Sequence, residues 1–314
     1  MPWPAAPVRT VLPFLLCVIL VSVAAPVSAP ARVDDPAMKD DLAVMDDVAA
    51  MGACAVELRL DRPAQRVISL SPHLTEMMYS IGAGDRLVGS VRGSDFPVEA
   101  AGIAEIGDAS GLDFERILHS RPDFVLAWGS GNRLVDIARL RALGLHVLVL
   151  EPQRLEDIPR HLRLLGNLTG LRGQAHPVAL ELERRVDALR NRYAGRAPVR
   201  VLFEIWHRPL FTVNGDHIIS KVLGLCAAQN IFADLPRLAG EVSIEQVLIM
   251  DPDAIVVGSE ADDAGVNNWT PFSTLKAVRT GNVFAVSADL ITRQTARIVD
   301  AAERMCAGID KARH

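Results

Sequence analysis

Short apolar runs alternate with stretches of helical spacing along most of the chain. The runs RVISLS, LVGSV, DFVLAW and HVLVLE in the first half, and RVLFEIW, DAIVVG and NVFAVS in the second, predict buried strands. Helical spacing occurs at residues 73–82, 112–120, 131–143, 217–229, 243–250, 271–278 and 294–309. This alternation predicts an α/β fold with mostly parallel sheets that are covered by helices on both faces.

A longer helix is predicted between the two sets of strands. Pro177–Tyr193 has apolar residues at helical spacing and no Gly or Pro after its first residue, which predicts a helix of about 17–20 residues, or about 25–30 Å. Such a helix is a stiff connector. We therefore predict an N-terminal lobe at 63–170, a connecting helix at 171–196 and a C-terminal lobe at 197–314.

The two halves share a repeated sequence. Residues 112–126 align without gaps on residues 242–256, with identical residues at Glu115/Glu245, Leu118/Leu248, Pro122/Pro252 and Asp123/Asp253. Residues 66–68 align in the same way on residues 200–202. Two matches in the same order predict two lobes of similar fold.

The paired glutamates lie at predicted helix starts. Asp113 and Ser243 are good N-caps, which places Glu115 and Glu245 at the second helical position. Interaction with the helix dipole explains an acid at each place. Its repetition on both lobes also suits a partner with two equivalent cationic pockets, such as a dimeric membrane permease. The residues alone leave both explanations open.

The N-terminal segment predicts export. Val11–Ala25 is an uncharged apolar run after a single cation, Arg9, and it is shorter than the about 20 residues of a membrane span. Small residues follow at signal-peptidase spacing, so residues 1–31 predict a cleavable signal peptide, with an uncleaved anchor as the alternative. Residues 32–62 predict an acidic leader that ends in a short strand at Val56–Leu60. We expect a periplasmic monomer.

Export would place the cysteines in an oxidising compartment. After cleavage, Cys54, Cys226 and Cys306 remain, so at most one pair forms within the chain. Cys226 and Cys306 fall in predicted helices of one lobe, and two such helices can lie side by side. The spacing alone leaves a bridge and two buried free thiols both open.

Composition and motifs argue against several classes of protein. A net charge of −5 and a pI near 5.9 argue against a nucleic-acid partner. The sequence has no Walker loop, no H-E-x-x-H motif and no Cys/His cluster with zinc spacing, so we predict neither catalytic residues nor a metal site. A cleft enzyme that uses His73, Glu76 and His207, and a sensory domain, are the alternatives from other classes.

Residues at the predicted strand ends are candidates for ligand binding, because ligands of open parallel sheets bind beyond the carboxyl ends of the strands. Those ends carry Pro72, Gly93, Ser94, Trp128, Trp206 and the segment Ser287–Arg293. Aromatic walls with small residues and a few polar groups suit a large, flat, partly polar molecule. The alternative is that either tryptophan fills the seam between the lobes.

Several of these segments resemble one known family. RVISLSPHLTEMMYSIGAGDRLVG, SDFP and LDFERILHSRPDFVLAWGSGN are similar to segments of the periplasmic substrate-binding proteins of vitamin B12, haem and ferric-siderophore ABC importers. Within that family, residues 127–132, 209–232, 242–248 and 289–306 most resemble the cobalamin-binding proteins. The resemblance covers roughly residues 56–310.

The resemblance implies a fold and a ligand. It implies two α/β lobes that are rigidly joined by one long helix, with cobalamin in the cleft between them and no enzymatic activity. Because the connector is a helix, we predict modest closure on binding rather than a wide hinge movement. Trp128, Asp289 and Arg293 match positions that line the cobalamin site. A haem or ferric-siderophore carrier is the alternative within the family. No cofactor other than the bound ligand is implied.

The resemblance also implies a partner and a bridge. Glu115 and Glu245 would engage arginines of an inner-membrane ABC permease dimer with its ATPase. Cys226 and Cys306 would be bridged.

This chain departs from the cobalamin binders at three positions. Gly93, Ala109 and Ala239 stand where a cobalamin binder has aromatic residues. Trp206 would then supply stacking surface from the other lobe.

Overall fold

The computed structural model describes Leu58 and residues 60–108, 110–259 and 265–314. The predicted signal peptide, most of the acidic leader, Cys54 and Ala109 lie outside the described residues. Leu58 and Leu60 belong to the predicted strand at Val56–Leu60, but they lie in no helix or strand and pack against an apolar core. In the described residues no helix is both long and apolar enough to span a membrane.

A parallel four-stranded sheet forms the centre of the first lobe, as its apolar runs predict. In chain order the lobe contains β1 (Val67–Ser69), α1 (Pro72–Ser80), β2 (Leu87–Ser90), β3 (Gly107–Asp108), β4 (Gly111–Leu112), α2 (Phe114–His119), β5 (Phe124–Trp128), α3 (Leu134–Ala142), β6 (Val147–Leu150) and α4 (Asp157–Thr169). The sheet order is β2-β1-β5-β6, with every pair parallel. The short strands β3 and β4 form a separate antiparallel pair.

One long helix, α5 (Arg172–Tyr193), follows the first lobe. Its 22 residues correspond to about 33 Å. It begins five residues earlier than the spacing predicts, because Pro177 is accommodated as the sixth helical residue. Proline lacks the N–H that would bond the carbonyl four residues earlier, so the helix loses that bond there. Buried residues recur along α5 at intervals of three and four: Ala175, Ala179, Leu182, Val186, Leu189 and Tyr193.

The second lobe contains a second parallel four-stranded sheet. In chain order its elements are β7 (Val199–Glu204), β8 (Phe211–Val213), α6 (Ile218–Leu225), β9 (Ala228–Asn230), β10 (Ala239–Glu241), α7 (Ile244–Met250), β11 (Ala254–Ser259), α8 (Lys276–Arg279), β12 (Val283–Ser287), α9 (Ala288–Thr292) and α10 (Ile298–Lys311). The sheet order is β12-β11-β7-β9. Strands β8 and β10 pair antiparallel outside it.

The repeated sequence corresponds to a repeated structure. The order β2-β1-β5-β6 is equivalent to β9-β7-β11-β12, which confirms two lobes of similar fold. The Asp123 carboxylate accepts the backbone N–H of Arg66 at 2.9 Å, and the Asp253 carboxylate accepts that of Arg200 at 2.9 Å. The repeated aspartate therefore ties the loop before β5 to the start of β1, and the loop before β11 to the start of β7.

Three helix predictions in the second lobe are wrong in extent. The helix predicted at 217–229 ends at Leu225, because Ala227 has a φ of 51° and the following residues pair with β7 as β9. The helix predicted at 271–278 is reduced to α8. The helix predicted at 294–309 starts only at Ile298, because the preceding residues bind side chains of the first lobe. The spacing also does not predict α4.

A continuous apolar core joins the two lobes. It contains Phe124 of β5, Leu182 of α5 and Phe203 of β7, all buried. Each sheet also contributes to a core of its own lobe on the opposite face, since alternate residues of a strand face opposite sides: Val67 lies in the shared core and Ile68 in the separate one. The lobes are therefore packed together as well as connected by α5.

The Cys226–Cys306 disulfide is present, which confirms the pairing that the resemblance implies. Cys226 follows α6, Cys306 lies in α10, and their Cα atoms are 4.7 Å apart. The bridge closes a loop of 80 residues. By loop-closure entropy a bridge of this span contributes about 4–5 kcal/mol to stability.

Candidate ligand-binding site

A cavity of about 710 Å³ lies between the two lobes. The first lobe contributes Trp128, Gly129, Ser130, Glu151, Pro152, Gln153 and Arg154; the second contributes Asp216, His217, Ile218, Lys221, Leu238 and Gln294. The lining residues of the first lobe lie at or directly after the carboxyl ends of β5 and β6, where a parallel sheet is expected to bind its ligand. The volume is within the range of about 300–1,000 Å³ that is usual for sites of organic ligands.

Trp128 supplies the aromatic surface of the cavity. It is the last residue of β5, and its backbone N–H donates to Asn132 Oδ1 at 2.6 Å. Asn132 Nδ2 in turn donates to the carbonyl of Leu70 at 2.9 Å, which ties the end of β5 to the end of β1. A β-carbon at Gly131 would overlap the Trp128 ring, so glycine is required there. The ring is therefore held by its own loop.

The side chains of Glu151 and His73 contact Trp128 and the loop that follows it. The Glu151 carboxylate accepts the backbone N–H of Ser130 at 2.5 Å and its hydroxyl at 3.2 Å. The buried His73 ring lies edge-on to Trp128, with centroids 5.1 Å apart, and its Nδ1 is 2.6 Å from Ser71 Oγ. Burial lowers the pKa of His73 to about 3, so the ring is neutral near pH 7.

The charges that line the cavity balance. Glu151 and Asp216 are acidic, and Arg154 and Lys221 are basic. The site therefore has no strong preference for an anionic or a cationic ligand. Such a lining suits a large molecule with little net charge and many polar groups.

A group of charged and polar side chains around the buried Glu76 carboxylate joins the lobes beside the cavity. We call Glu76, Asp95, Arg293, Thr295 and Arg297 the interlobe ion cluster. Arg297 donates to both oxygens of Glu76 at 2.7 and 2.6 Å, and the Thr295 hydroxyl donates to the same carboxylate at 2.5 Å. Gln294, which precedes Thr295, lines the cavity.

Of the predicted ligand contacts, Arg293 belongs to this cluster and Asp289 contacts it. Arg293 Nη2 is 2.7 Å from Asp95 Oδ1 of the first lobe and 3.2 Å from Asp289 Oδ1. Arg293 Nη1 is buried and has no hydrogen-bond partner in the part of the chain that the structure describes. The roles of Arg293 and Asp289 in ligand binding stay predictions.

Four other predicted ligand contacts do not line the cavity. Gly93 lies against Pro72, and Ser94 directly precedes Asp95 of the interlobe ion cluster. Trp206 is 64% exposed, and its Nε1–H donates to the carbonyl of Arg208 at 2.9 Å. Their contacts with a ligand stay predictions.

A cleft enzyme is the alternative that would use His73, Glu76 and His207, and these three residues lie in separate environments. Glu76 is bound by the arginines of the interlobe ion cluster, and His73 contacts Trp128. His207 lies in the second lobe, where its Nδ1 is 3.3 Å from Glu204 and its ring packs edge-on to Trp269. Burial raises the pKa of Glu204, against the opposing effects of the Trp269 Nε1–H bond and of His207. No hydrogen bond joins any two of the three among the described residues.

Several residues that line the cavity are not among the predicted ligand contacts. Glu151 is the last residue of the predicted strand HVLVLE and Arg154 follows three residues later, so both could have been found from their place at a strand end. His217 and Lys221 lie near the start of a predicted helix, where nothing local indicates a ligand. Gln294 lies in a segment that the spacing wrongly assigns to a helix.

A metal centre has no candidate ligands in the described part of the chain. No group of three or more His, Cys, Asp or Glu side chains is arranged to hold a metal ion there.

Comparison with known proteins identifies the family. The model of the family described as periplasmic binding protein matches residues 67–290. A vitamin B12-binding protein of Vibrio cholerae is 34% identical over 245 residues, which cover 78% of this chain and 88% of that protein. A vitamin B12-binding protein of Yersinia pestis is 36% identical over 246 residues, which cover 77% and 85%.

Solved structures give the same fold. The crystal structure of the periplasmic vitamin B12 binding protein BtuF of Vibrio cholerae has a TM-score of 0.75 and 33% identity, covering 80% of this chain and 98% of that one. A periplasmic heme binding protein from Pseudomonas aeruginosa has a TM-score of 0.68 at 21% identity, covering 78% and 92%, and is similar in fold alone. This chain thus belongs to the periplasmic binding protein family, the non-enzymatic substrate-binding components of transport systems.

Proposed function

We propose that this protein captures cobalamin, or a related corrinoid, in the cavity between its lobes and delivers it to an inner-membrane ABC permease. The observation that carries the proposal is the interlobe cavity, with Trp128 as its aromatic surface and a balanced set of charges. Cobalamin is large, has a flat ring and carries many neutral amides, so it needs stacking surface and hydrogen bonds rather than a charged clamp. The relatives at 34–36% identity are vitamin B12-binding proteins, which supports the same ligand.

The cavity supports haem less well. Haem carries two propionates, and the lining offers no surplus of positive charge to bind them. Haem carriers bind iron through Tyr or His side chains. Neither Tyr79 nor Tyr193 lines the cavity, and the histidine that does, His217, has its Nδ1 bonded to the backbone N–H of Ile219.

Delivery to a permease is supported by a repeated surface on the two lobes. Glu115 and Glu245 lie at the second position of α2 and α7, as predicted, and both are exposed. In the described residues neither carboxylate forms an ion pair. Leu118 and Leu248, one turn further on, are each 39% exposed. Each lobe therefore presents an unpaired acid beside an exposed leucine, which suits a dimeric partner with two equivalent basic pockets.

Export to the periplasm belongs to the same proposal. Residues 1–31 would act as the cleaved signal peptide that takes the protein to the compartment where such receptors work. The Cys226–Cys306 bridge supports an oxidising compartment.

Titration calorimetry with cyanocobalamin tests the ligand. We expect one-to-one binding with a submicromolar dissociation constant. In Trp128→Ala this constant should rise about tenfold or more, because the corrin ring would lose its stacking surface. Leu134→Ala, which shortens an exposed apolar side chain outside the cavity, is the control and should bind as wild type does. Hemin that binds more tightly than cyanocobalamin would overturn the choice of ligand.

A further inference from the structure

His217 combines a structural bond with a free polar edge in the cavity. It lines the cavity and is the N-cap of α6, where its Nδ1 accepts the backbone N–H of Ile219 at 3.2 Å. N-caps are usually Ser, Thr, Asp or Asn, whose side-chain oxygen accepts a backbone N–H of the first turn. An imidazole can accept that N–H only through a nitrogen lone pair.

The capping bond determines which nitrogen carries the proton. Neutral imidazole has one N–H and one lone pair, so a lone pair on Nδ1 places the hydrogen on Nε2. Burial lowers the pKa of His217 to about 4, which keeps the ring neutral near pH 7. Nε2 makes no hydrogen bond to any residue that the structure describes. A fixed, neutral N–H donor is therefore available to a ligand.

The groups around His217 do not compete for this donor. Lys221 Nζ, one turn along α6, donates to the carbonyl of Gly215 at 2.8 Å and lies 3.9 Å from Asp216 Oδ1. The charges of Lys221 and Asp216 thus partly compensate each other. Glu151 and Arg154 face the cavity from the first lobe.

We propose that His217 binds the ligand as a neutral hydrogen-bond donor, through Nε2–H to an amide carbonyl at the corrin rim, and does not coordinate the cobalt. This inference rests on the proposed function. Coordination would need a lone pair on Nε2, and the proton would then move to Nδ1 and break the bond to the Ile219 N–H. The helix start would lose its cap.

Two substitutions separate the cap from the donor. His217→Asn keeps an acceptor near the position of Nδ1 but has no group at the position of Nε2. His217→Gln places an amide N–H near the position of Nε2 but is a poorer cap. We expect cyanocobalamin to bind about five- to tenfold more weakly to His217→Asn, as for one lost hydrogen bond, and within about twofold of wild type to His217→Gln. We expect the melting temperature to fall in His217→Gln and to stay close to wild type in His217→Asn.

Aquocobalamin distinguishes donation from coordination. Its upper axial water can be replaced by an imidazole, whereas the cyanide of cyanocobalamin occupies that position. Donation predicts the same loss of affinity for both forms in His217→Asn, with no change in the cobalamin absorption bands on binding. A band shift with aquocobalamin that requires His217 would overturn the inference, and so would wild-type affinity in His217→Asn. If the wild-type protein binds neither form, the proposed function fails and the role of His217 fails with it.

Discussion

Arg293 of the second lobe forms an ion pair with Asp95 of the first, with Nη2 and Oδ1 2.7 Å apart across a sequence separation of 198 residues. Next to it, Arg297 binds the buried carboxylate of Glu76 with two hydrogen bonds. The lobes are therefore held by α5, by the shared apolar core and by the interlobe ion cluster. Rotation of one lobe against the other would have to separate the buried Glu76 carboxylate from Arg297, which is costly. Modest closure on ligand binding stays a prediction, and this cluster supplies a second physical reason for it.

The interlobe ion cluster should contribute to stability. Glu76→Gln keeps the shape of the side chain but leaves Arg297 without its charged partner. The Glu76 side chain is 3% exposed and that of Arg297 27%, so the arginine can recover part of its hydration. We expect the free energy of unfolding in urea to fall by roughly 2–3 kcal/mol, below the about 3–5 kcal/mol of a fully buried pair.

An exposed carboxylate of the same lobe is the control for Glu76. Asp85 is 76% exposed and lies 3.5 Å from Arg86, so Asp85→Asn should leave the unfolding midpoint unchanged. Equal midpoints for Glu76→Gln and Asp85→Asn would contradict the role of the cluster.

The strands and the repeat could be predicted because their signals are local. Apolar runs such as DFVLAW form β5, and the repeated Pro-Asp step at Asp123 and Asp253 ends the same connection in both lobes. Trp128 could be placed beside the cavity for the same reason, since it ends a predicted strand.

The interlobe ion cluster could not be predicted, because its contacts are tertiary. Thr295 and Arg297 lie in a stretch whose spacing indicates a helix, and the distant carboxylate of Glu76 binds that stretch in another conformation. The donor role of His217 cannot be predicted from the sequence for a similar reason. It depends on a capping bond and on the cavity, and neither leaves a pattern in the sequence.

Buried histidines should make the protein sensitive to acid. Burial lowers the pKa of His161 to about 4, below its value of 6.5 in an unfolded chain. Between these two pH values the unfolded state binds a proton at His161 and the folded state does not. The stabilisation that is present above pH 6.5 is therefore lost as the pH falls towards 4. At pH 5 this amounts to about 2 kcal/mol for His161.

Urea unfolding at pH 7.5 and at pH 5 measures this effect. The loss of unfolding free energy between the two pH values should be about 2 kcal/mol smaller in His161→Gln than in the wild-type protein. His119→Gln, at an exposed position of the first lobe, should lose as much as the wild type. If His161→Gln also loses as much as the wild type, acid sensitivity arises elsewhere.

The repeated glutamates should be needed for transport and not for ligand binding. Glu115→Ala with Glu245→Ala should abolish cobalamin uptake in a reconstituted transporter and leave the affinity for cyanocobalamin within about twofold, because both carboxylates lie outside the cavity lining. Each single variant should impair uptake to a similar extent, since the two lobes present equivalent surfaces. The control is Glu99→Ala with Asp234→Ala, which removes one exposed acid from each lobe away from the repeated helices. Uptake at the wild-type rate in the Glu115/Glu245 variant would mean that these side chains only stabilise their helix starts.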